Sequence, residues 1–240
     1  MQRYFLQGTI DNYLFDQEDV FHMQKVMKMR CGDSIEVVIN ENAYLAKIIS
    51  FNPFKIDIIS TINYNSECQN KVTLFYCLVK GDKLDFVIQK AVELGVNEIV
   101  LVQSKFCVVK YSKNEIDKKI ARFKGIIKGA CRQSHRLIIP TLDKIIDLNN
   151  IDYTYVSDHN FVAYERDMGS TKTTKQLFEN IEQGESVSVF VGPEGGFDSE
   201  EIQYLNKIGF ENISLGKRVL RSETAALAVL ADLMFILESK

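Results

Sequence analysis

No stretch of this 240-residue chain strings together the roughly 18 to 20 apolar residues that a membrane-spanning helix needs. The opening residues, "MQRYFLQGTIDNYLFDQEDV", hold no long apolar core followed by a small-residue cleavage site, so no signal peptide is expected. Cysteine is sparse. Cys31, Cys68, Cys77, Cys107 and Cys131 are odd in number, scattered, and form no C-x-x-C pair. That usage predicts reduced thiols in a cytoplasmic protein and argues against a zinc site or disulfide frame. His22, His135 and His159 have no ligand spacing, so no metal is expected. What is present, 46% hydrophobic and 25% charged residues, suits a soluble globular protein of one or two domains.

A strong excess of positive charge is also missing: the net charge is −3 and the sequence pI about 5.7. The whole chain therefore does not advertise nucleic-acid binding. The distribution is uneven, however. Between Ser104 and Arg136 ten basic residues face only Glu115 and Asp117. A solvated helix face is the bland reading of such a run; a polyanion footprint is the sharper one.

Residues 1–68 read as a small β-rich domain. "RYFL", "SIEVVIN", "AYLAKIISF" and "FKIDIIS" have strand character, and one helical piece, "DVFHMQKVMKM", interrupts them. The polar stretch Thr61–Asn70 is the linker candidate. From residue 71 to 240 strands such as "KVTLFYCLV", "EIVLVQ" and "SVSVFV" alternate with amphipathic helices. This alternation predicts an α/β fold with a mostly parallel sheet covered on both faces. The last helix, from Ser222, carries only Asp232 as a polar residue between Ala225 and Leu237. A helix apolar nearly all round is buried on most sides, either deep inside the domain or against another subunit, and the second is the expectation here.

Two joints between strand and helix concentrate the chain's few special residues. In "VFVGPEGGFDSEEI" an apolar strand gives way to Gly192, Pro193, Glu194, Gly195 and Gly196. Asp198 and Glu201 then form a capping box, flanked by Phe197 and Ile202 as a hydrophobic staple. Neither the G-x-G-x-x-G spacing nor the G-x-x-x-x-G-K-[ST] loop of phosphate binders is met, and Glu194 would repel a phosphate. A plain turn is the common meaning of such a cluster. The carboxylate otherwise suits a cation or an uncharged ligand. The second joint, "SLGKRVLRSETAALAVL", places Gly216, Lys217, Arg218 and Arg221 before a helix expected to be capped by Ser222.

"GPEGGF" followed by "LGKRVLRSETAA" resembles the paired signatures of the RsmE family, together with "KGDKLDFVIQKAVELGV" and "ACRQSHR" before Pro140. These are SPOUT-class methyltransferases that methylate N3 of a uridine in 16S, or small-subunit, ribosomal RNA. The resemblance implies a PUA-like β-barrel that grips RNA, then an α/β domain whose end is threaded into a trefoil knot. It implies a homodimer that uses S-adenosylmethionine and no metal. The cofactor residues it points to are Val191, Gly192, Pro193, Glu194, Gly195, Gly196, Leu215, Gly216, Val219, Leu220, Thr224 and Ala225. Two departures stand out. Arg132 replaces the family's usual acid in the "ACRQS" block, and Lys28 replaces an arginine in the pattern that begins at His22.

Methylation at N3 favours an anionic uracil near the methyl group. Arg221 is the candidate for stabilising its carbonyl oxygen. Glu223, or less plausibly Glu165, is the candidate base, with solvent as the alternative. Lys28, Arg30, Lys105, Arg132 and Arg136 are the candidate RNA contacts. The competing readings are a SPOUT enzyme acting on ribose 2′-oxygen or transfer RNA, and a non-catalytic RNA-binding dimer.

Overall fold

The computed structural model describes residues 1–164 and 172–240. Its internal contacts divide the chain into two compact units. One comprises Met1–Glu67 with Cys131–Ile138, the other Cys68–Ala130 with Ile139–Lys240.

The first unit is a curled five-stranded sheet. β1 (Arg3–Gly8), β2 (Tyr13–Leu14), β3 (Ser34–Ile39), β4 (Asn42–Phe51) and β5 (Phe54–Ile62) lie in the order β2-β1-β3-β4-β5. Only the β1–β3 pair is parallel. Alternation along the strands sends Tyr4, Leu6, Ile35, Val37, Ile39, Ala46 and Ile48 into one core with Met23. Curling brings the two edge strands together through one side chain. The Tyr13 hydroxyl donates to the Ile56 carbonyl at 3.0 Å and accepts from its amide at 3.4 Å, so polar groups of the outer strand gain a partner. The early helical piece is α1 (Gln17–Phe21), capped by Asp16, running into a π-turn at His22–Val26.

The segment Cys131–Ile138 belongs to this unit although it begins in the last turn of a helix that starts in the other. Leu137 packs with Val38 and Ala43 on the outer sheet face. Three ion pairs hold the segment: Arg132 with Asp19, Arg136 with Glu67, and Arg3 with Glu36, which also meets His135. Arg3 further donates to the carbonyls of His135 and Arg136.

The second unit is built on six parallel strands: β6 (Val72–Cys77), β7 (Glu98–Gln103), β8 (Ile145–Asp147), β9 (His159–Ala163), β10 (Val187–Val191) and β11 (Glu211–Ile213). Their order is β11-β9-β10-β6-β7-β8. The helices are α2 (Lys83–Glu93), α3 (Lys113–Gln133, whose end crosses into the first unit), α4 (Thr174–Glu179), α5 (Ser199–Lys207) and α6 (Ser222–Leu237). β10 is buried at every position, as a central strand covered on both faces must be. After β6 the chain winds outward through β7 and β8, then returns to build the other half beside β6. The carboxyl ends of β6 and β10 therefore flank a topological switch point, where open α/β sheets bind their ligands.

Candidate active site

The glycine joint leaves the carboxyl end of β10 and enters α5 through the expected cap. Asp198 accepts from the Glu200 amide and Glu201 reaches back to the Asp198 amide, each at 3.0 Å. Phe197 and Ile202 are both buried. The other oxygen of Glu201 accepts from the Lys105 amide at 2.7 Å, and the Lys105 ammonium pairs with Asp198 at 2.8 Å. Lys105 thus ties the loop after β7 to the start of α5.

The glycines have a packing reason that the sequence did not disclose. A Cβ at Gly192 would lie 2.9 Å from the Phe197 ring, and one at Gly195 would lie 2.9 Å from Cβ of Phe106. Main chain is pressed against aromatic side chains at both places. Gly216 differs, with φ +104° and no atom within 4 Å of its would-be Cβ.

The second joint corrects the expected cap of α6. Arg221 is the N-cap residue and Ser222 is the first residue of the helix. The buried Ser222 hydroxyl instead donates to the Gly192 carbonyl and lies 3.1 Å from the Tyr76 hydroxyl. Burial pushes the Tyr76 phenol well above its ordinary range, so it stays neutral. This bridge locks the two joints together, and a strand–glycine–serine pattern gave no hint of it.

Between the joints lies a cavity of about 450 Å³, lined by Val191–Phe197, Val219–Ser222, Ala225, Ala163 and Lys83. Ligand sites fall in this size class, roughly 300 to 1,000 Å³. A smaller adjoining cavity is lined by Leu215, Gly216, Arg218, Val219, Leu220, Ala225, Tyr164 and others. The structure thus gathers Val191, Gly192, Pro193, Glu194, Gly195, Gly196, Leu215, Gly216, Val219, Leu220 and Ala225 around adjoining spaces. Thr224 is exposed on α6 and lines neither. Arg221 lines the larger cavity and is exposed; among the described residues its guanidinium has no hydrogen-bond partner. Glu223 does not line it, but holds Lys83, which does, at 3.2 Å. Burial pushes the Glu223 carboxyl up, but its own amide and the Lys83 ammonium outweigh this and hold it below the usual range. Lys83 is the site residue that sequence reasoning missed, although it sits within the quoted "KGDKLD" block. Glu165 lies outside the described residues.

The donors suit S-adenosylmethionine: a carboxylate, Glu194, stands on the wall, while the cavity's loops offer main chain next to small residues. Among the described residues no cluster could hold a metal ion. Two of the candidate RNA contacts have another job. Arg136 is 2% exposed and paired with Glu67, while Arg132 is paired with the buried Asp19. Lys28 and Arg30 are exposed.

Residues 66–234 match the RNA methyltransferase domain family, and residues 15–59 the RNA methyltransferase PUA domain. The chain is 34% identical to ribosomal RNA small subunit methyltransferase E of Mesomycoplasma hyopneumoniae, over 96% of this chain and 97% of the relative. The protein of the same name from Bacillus subtilis is 30% identical over 98% and 96%. The crystal structure of a ribosomal RNA small subunit methyltransferase E from Neisseria gonorrhoeae, bound to S-adenosyl methionine, superposes with a TM-score of 0.84. That pair shares 26% identity over 98% of this chain and 97% of the other. With its glycine joints, its cavity and these relatives in agreement, the chain belongs to the ribosomal RNA small subunit methyltransferase E family.

Proposed function

We propose that the protein transfers a methyl group from S-adenosylmethionine to N3 of a specific uridine in small-subunit (16S) ribosomal RNA. The observation that carries this reading is the 450 Å³ cavity at the switch point, with the exposed guanidinium of Arg221 at its wall. When bound there, the cofactor supplies an electrophilic methyl group on a sulfonium. Val191–Gly196 and Val219–Leu220 would hold it, largely through main chain. Arg221 offers donors to a uracil carbonyl oxygen, where charge grows as N3 loses its proton. Holding base and cofactor in line supplies much of the remaining acceleration.

Glu223 acts through Lys83 in this reading rather than on the base, and solvent at the cavity mouth takes the N3 proton. The target uridine must leave any stack to reach the site. Exposed Lys28 and Arg30 contact RNA phosphates; Lys105, paired with Asp198, contributes less. The working form is a cytoplasmic homodimer whose α6 helices meet, acting on ribosomal RNA in an assembling small subunit, and the end of the chain forms the trefoil knot. Calorimetry with S-adenosylmethionine, followed by transfer of labelled methyl to small-subunit ribosomal RNA, tests the core of this. Binding and transfer to a base support it. Absence of binding would leave a non-catalytic RNA-binding protein, and label on ribose would leave a 2′-O-methyltransferase.

A further inference from the structure

Lys83 is the first residue of α2, at the end of a helix where the macrodipole disfavours a cation. Local helix physics would prefer an acid there, and a residue that opposes its local rule points to a demand from elsewhere. The demand is visible. The Lys83 ammonium lies 3.2 Å from Glu223 Oε1 and 3.7 Å from Glu194 Oε1. Glu194 also accepts from the Lys80 amide at 3.3 Å. Glu194 rides on the β10–α5 loop and Glu223 on the first turn of α6, the two walls of the cavity. Lys83 itself lines that cavity.

Two carboxylates that share one ammonium repel each other once it is gone. The charge on Glu223 is the harder to relieve. Its side chain is 17% exposed, and its Oε2 is buried with no hydrogen-bond partner among the described residues. The groups that face it are Lys83 from α2, Glu194 from the β10–α5 loop, Tyr76 from β6 and Arg221 from the loop before α6. Tyr76 is neutral, and Arg221 lowers the Glu223 carboxyl by charge alone. Lys83, which adds a hydrogen bond to its charge, carries the larger share of the compensation.

Resting on the transferase reading above, we propose that Lys83 is a positioning residue that clamps the Glu194 loop to the first turn of α6. By doing so it sets the width of the cofactor cavity and the direction in which Arg221 points. It touches neither reacting group; it acts through the walls.

The test is binding of S-adenosylmethionine by calorimetry across pH 5.5 to 8, on the full-length protein, with thermal melting as the check on folding. Lys83→Met should weaken binding about tenfold or more at pH 8. Affinity should recover toward pH 5.5, where the Glu223 carboxyl, left without the Lys83 ammonium that holds it down, takes up a proton. Wild type should be flat over that range. Lys83→Met/Glu223→Gln, which removes the repulsion, should restore affinity at pH 8, and Lys83→Arg should keep it throughout. A purely structural lysine would give a loss independent of pH and not relieved by Glu223→Gln. That result, or wild-type affinity in Lys83→Met at every pH, overturns the clamp. Should Lys83→Met not fold, the double variant against Lys83→Arg decides by the same comparison. No binding by wild type would sink the transferase reading itself, whereas wild-type binding with an unaffected Lys83→Met sinks only the clamp.

Discussion

Arg221 owes its position to the N-cap of α6, where its carbonyl accepts from the Ala225 amide at 2.8 Å and its side chain lines the cavity. If its donors meet charge that develops only during transfer, their effect lies in the transition state. Arg221→Ala should then lower single-turnover methylation by about 10²-fold or more. The binding constant for S-adenosylmethionine should change far less. Arg221→Lys should rescue in part, since a point charge cannot reproduce a planar fork. A clamp on the cofactor carboxylate predicts the reverse split, with binding lost and saturated turnover kept.

Glu67 gives a prediction about acid. Burial pushes its carboxyl up, but hydrogen bonds and charge from Arg136, with the amides of Leu137 and Ile138, outweigh that and hold it below the usual range. A depressed folded-state value means stability that is present above the unfolded carboxyl, about 4.3, and lost as pH falls through the folded one. Urea titrations from pH 6 to 3 should show a steeper acid loss for wild type than for Glu67→Gln. The variant should already be weaker at pH 6, because the buried Arg136 loses its ion pair with Glu67. Equal slopes would contradict this role. These pairs also explain a departure from the family pattern. Arg132, where an acid is usual, meets the buried Asp19, and its guanidinium stands 5.2 Å from the centre of the Tyr4 ring. Sequence alone showed the odd arginine but not the aspartate 113 residues away.

At the scale of elements, the proposed dimer rests on α6. Ala226, Val229, Leu230, Leu233, Met234 and Leu237 are buried within the subunit, where α6 packs on α2, α4 and β10. What stays open on α6 is Thr224, Ala231, Asp232 and Phe235, with Ala228 half-buried beside them and Phe235 75% exposed. Phe235→Arg should give a folded monomer by light scattering. Leu233→Arg should instead unfold the domain, because it buries an unpaired charge. A dimeric Phe235→Arg protein would remove α6 from the interface.

The helix was legible because its composition is extreme, yet composition could not say which face the subunit uses itself. Likewise the α5 start was readable from Asp198 and Glu201, since a capping box is local. Ser222 was misjudged because its partners, Tyr76 and Gly192, arrive from other strands. The Cys131–Ile138 excursion was hidden for the same reason: its anchors are long-range ion pairs, and the local sequence reads as a plain helix end.

For the whole molecule, half of the basic run that the sequence offered as an RNA footprint, Lys105 included, is engaged in ion pairs. Arg122 meets Asp85, Lys124 meets Asp143, and Arg132 and Arg136 serve the first unit. Lys110 and Lys118 of that run stay exposed, as do Lys28 and Arg30, which neighbour exposed Phe21, Val26 and Met27 in the chain. Lys28→Ala with Arg30→Ala should weaken RNA binding and flatten its salt dependence, since each phosphate contact removed lowers the slope by roughly one. Melting temperature should not move, whereas it should fall for Arg132→Ala. An unchanged salt slope would place the RNA elsewhere.

The account as a whole claims one modified base. The most direct test is nucleoside mass mapping of small-subunit ribosomal RNA from cells lacking this protein, complemented with wild type or with Arg221→Ala. The account predicts that a single 3-methyluridine disappears, returns with wild type, and does not return to full occupancy with Arg221→Ala. An intact 3-methyluridine, or the loss of a ribose methyl group in its place, would contradict it.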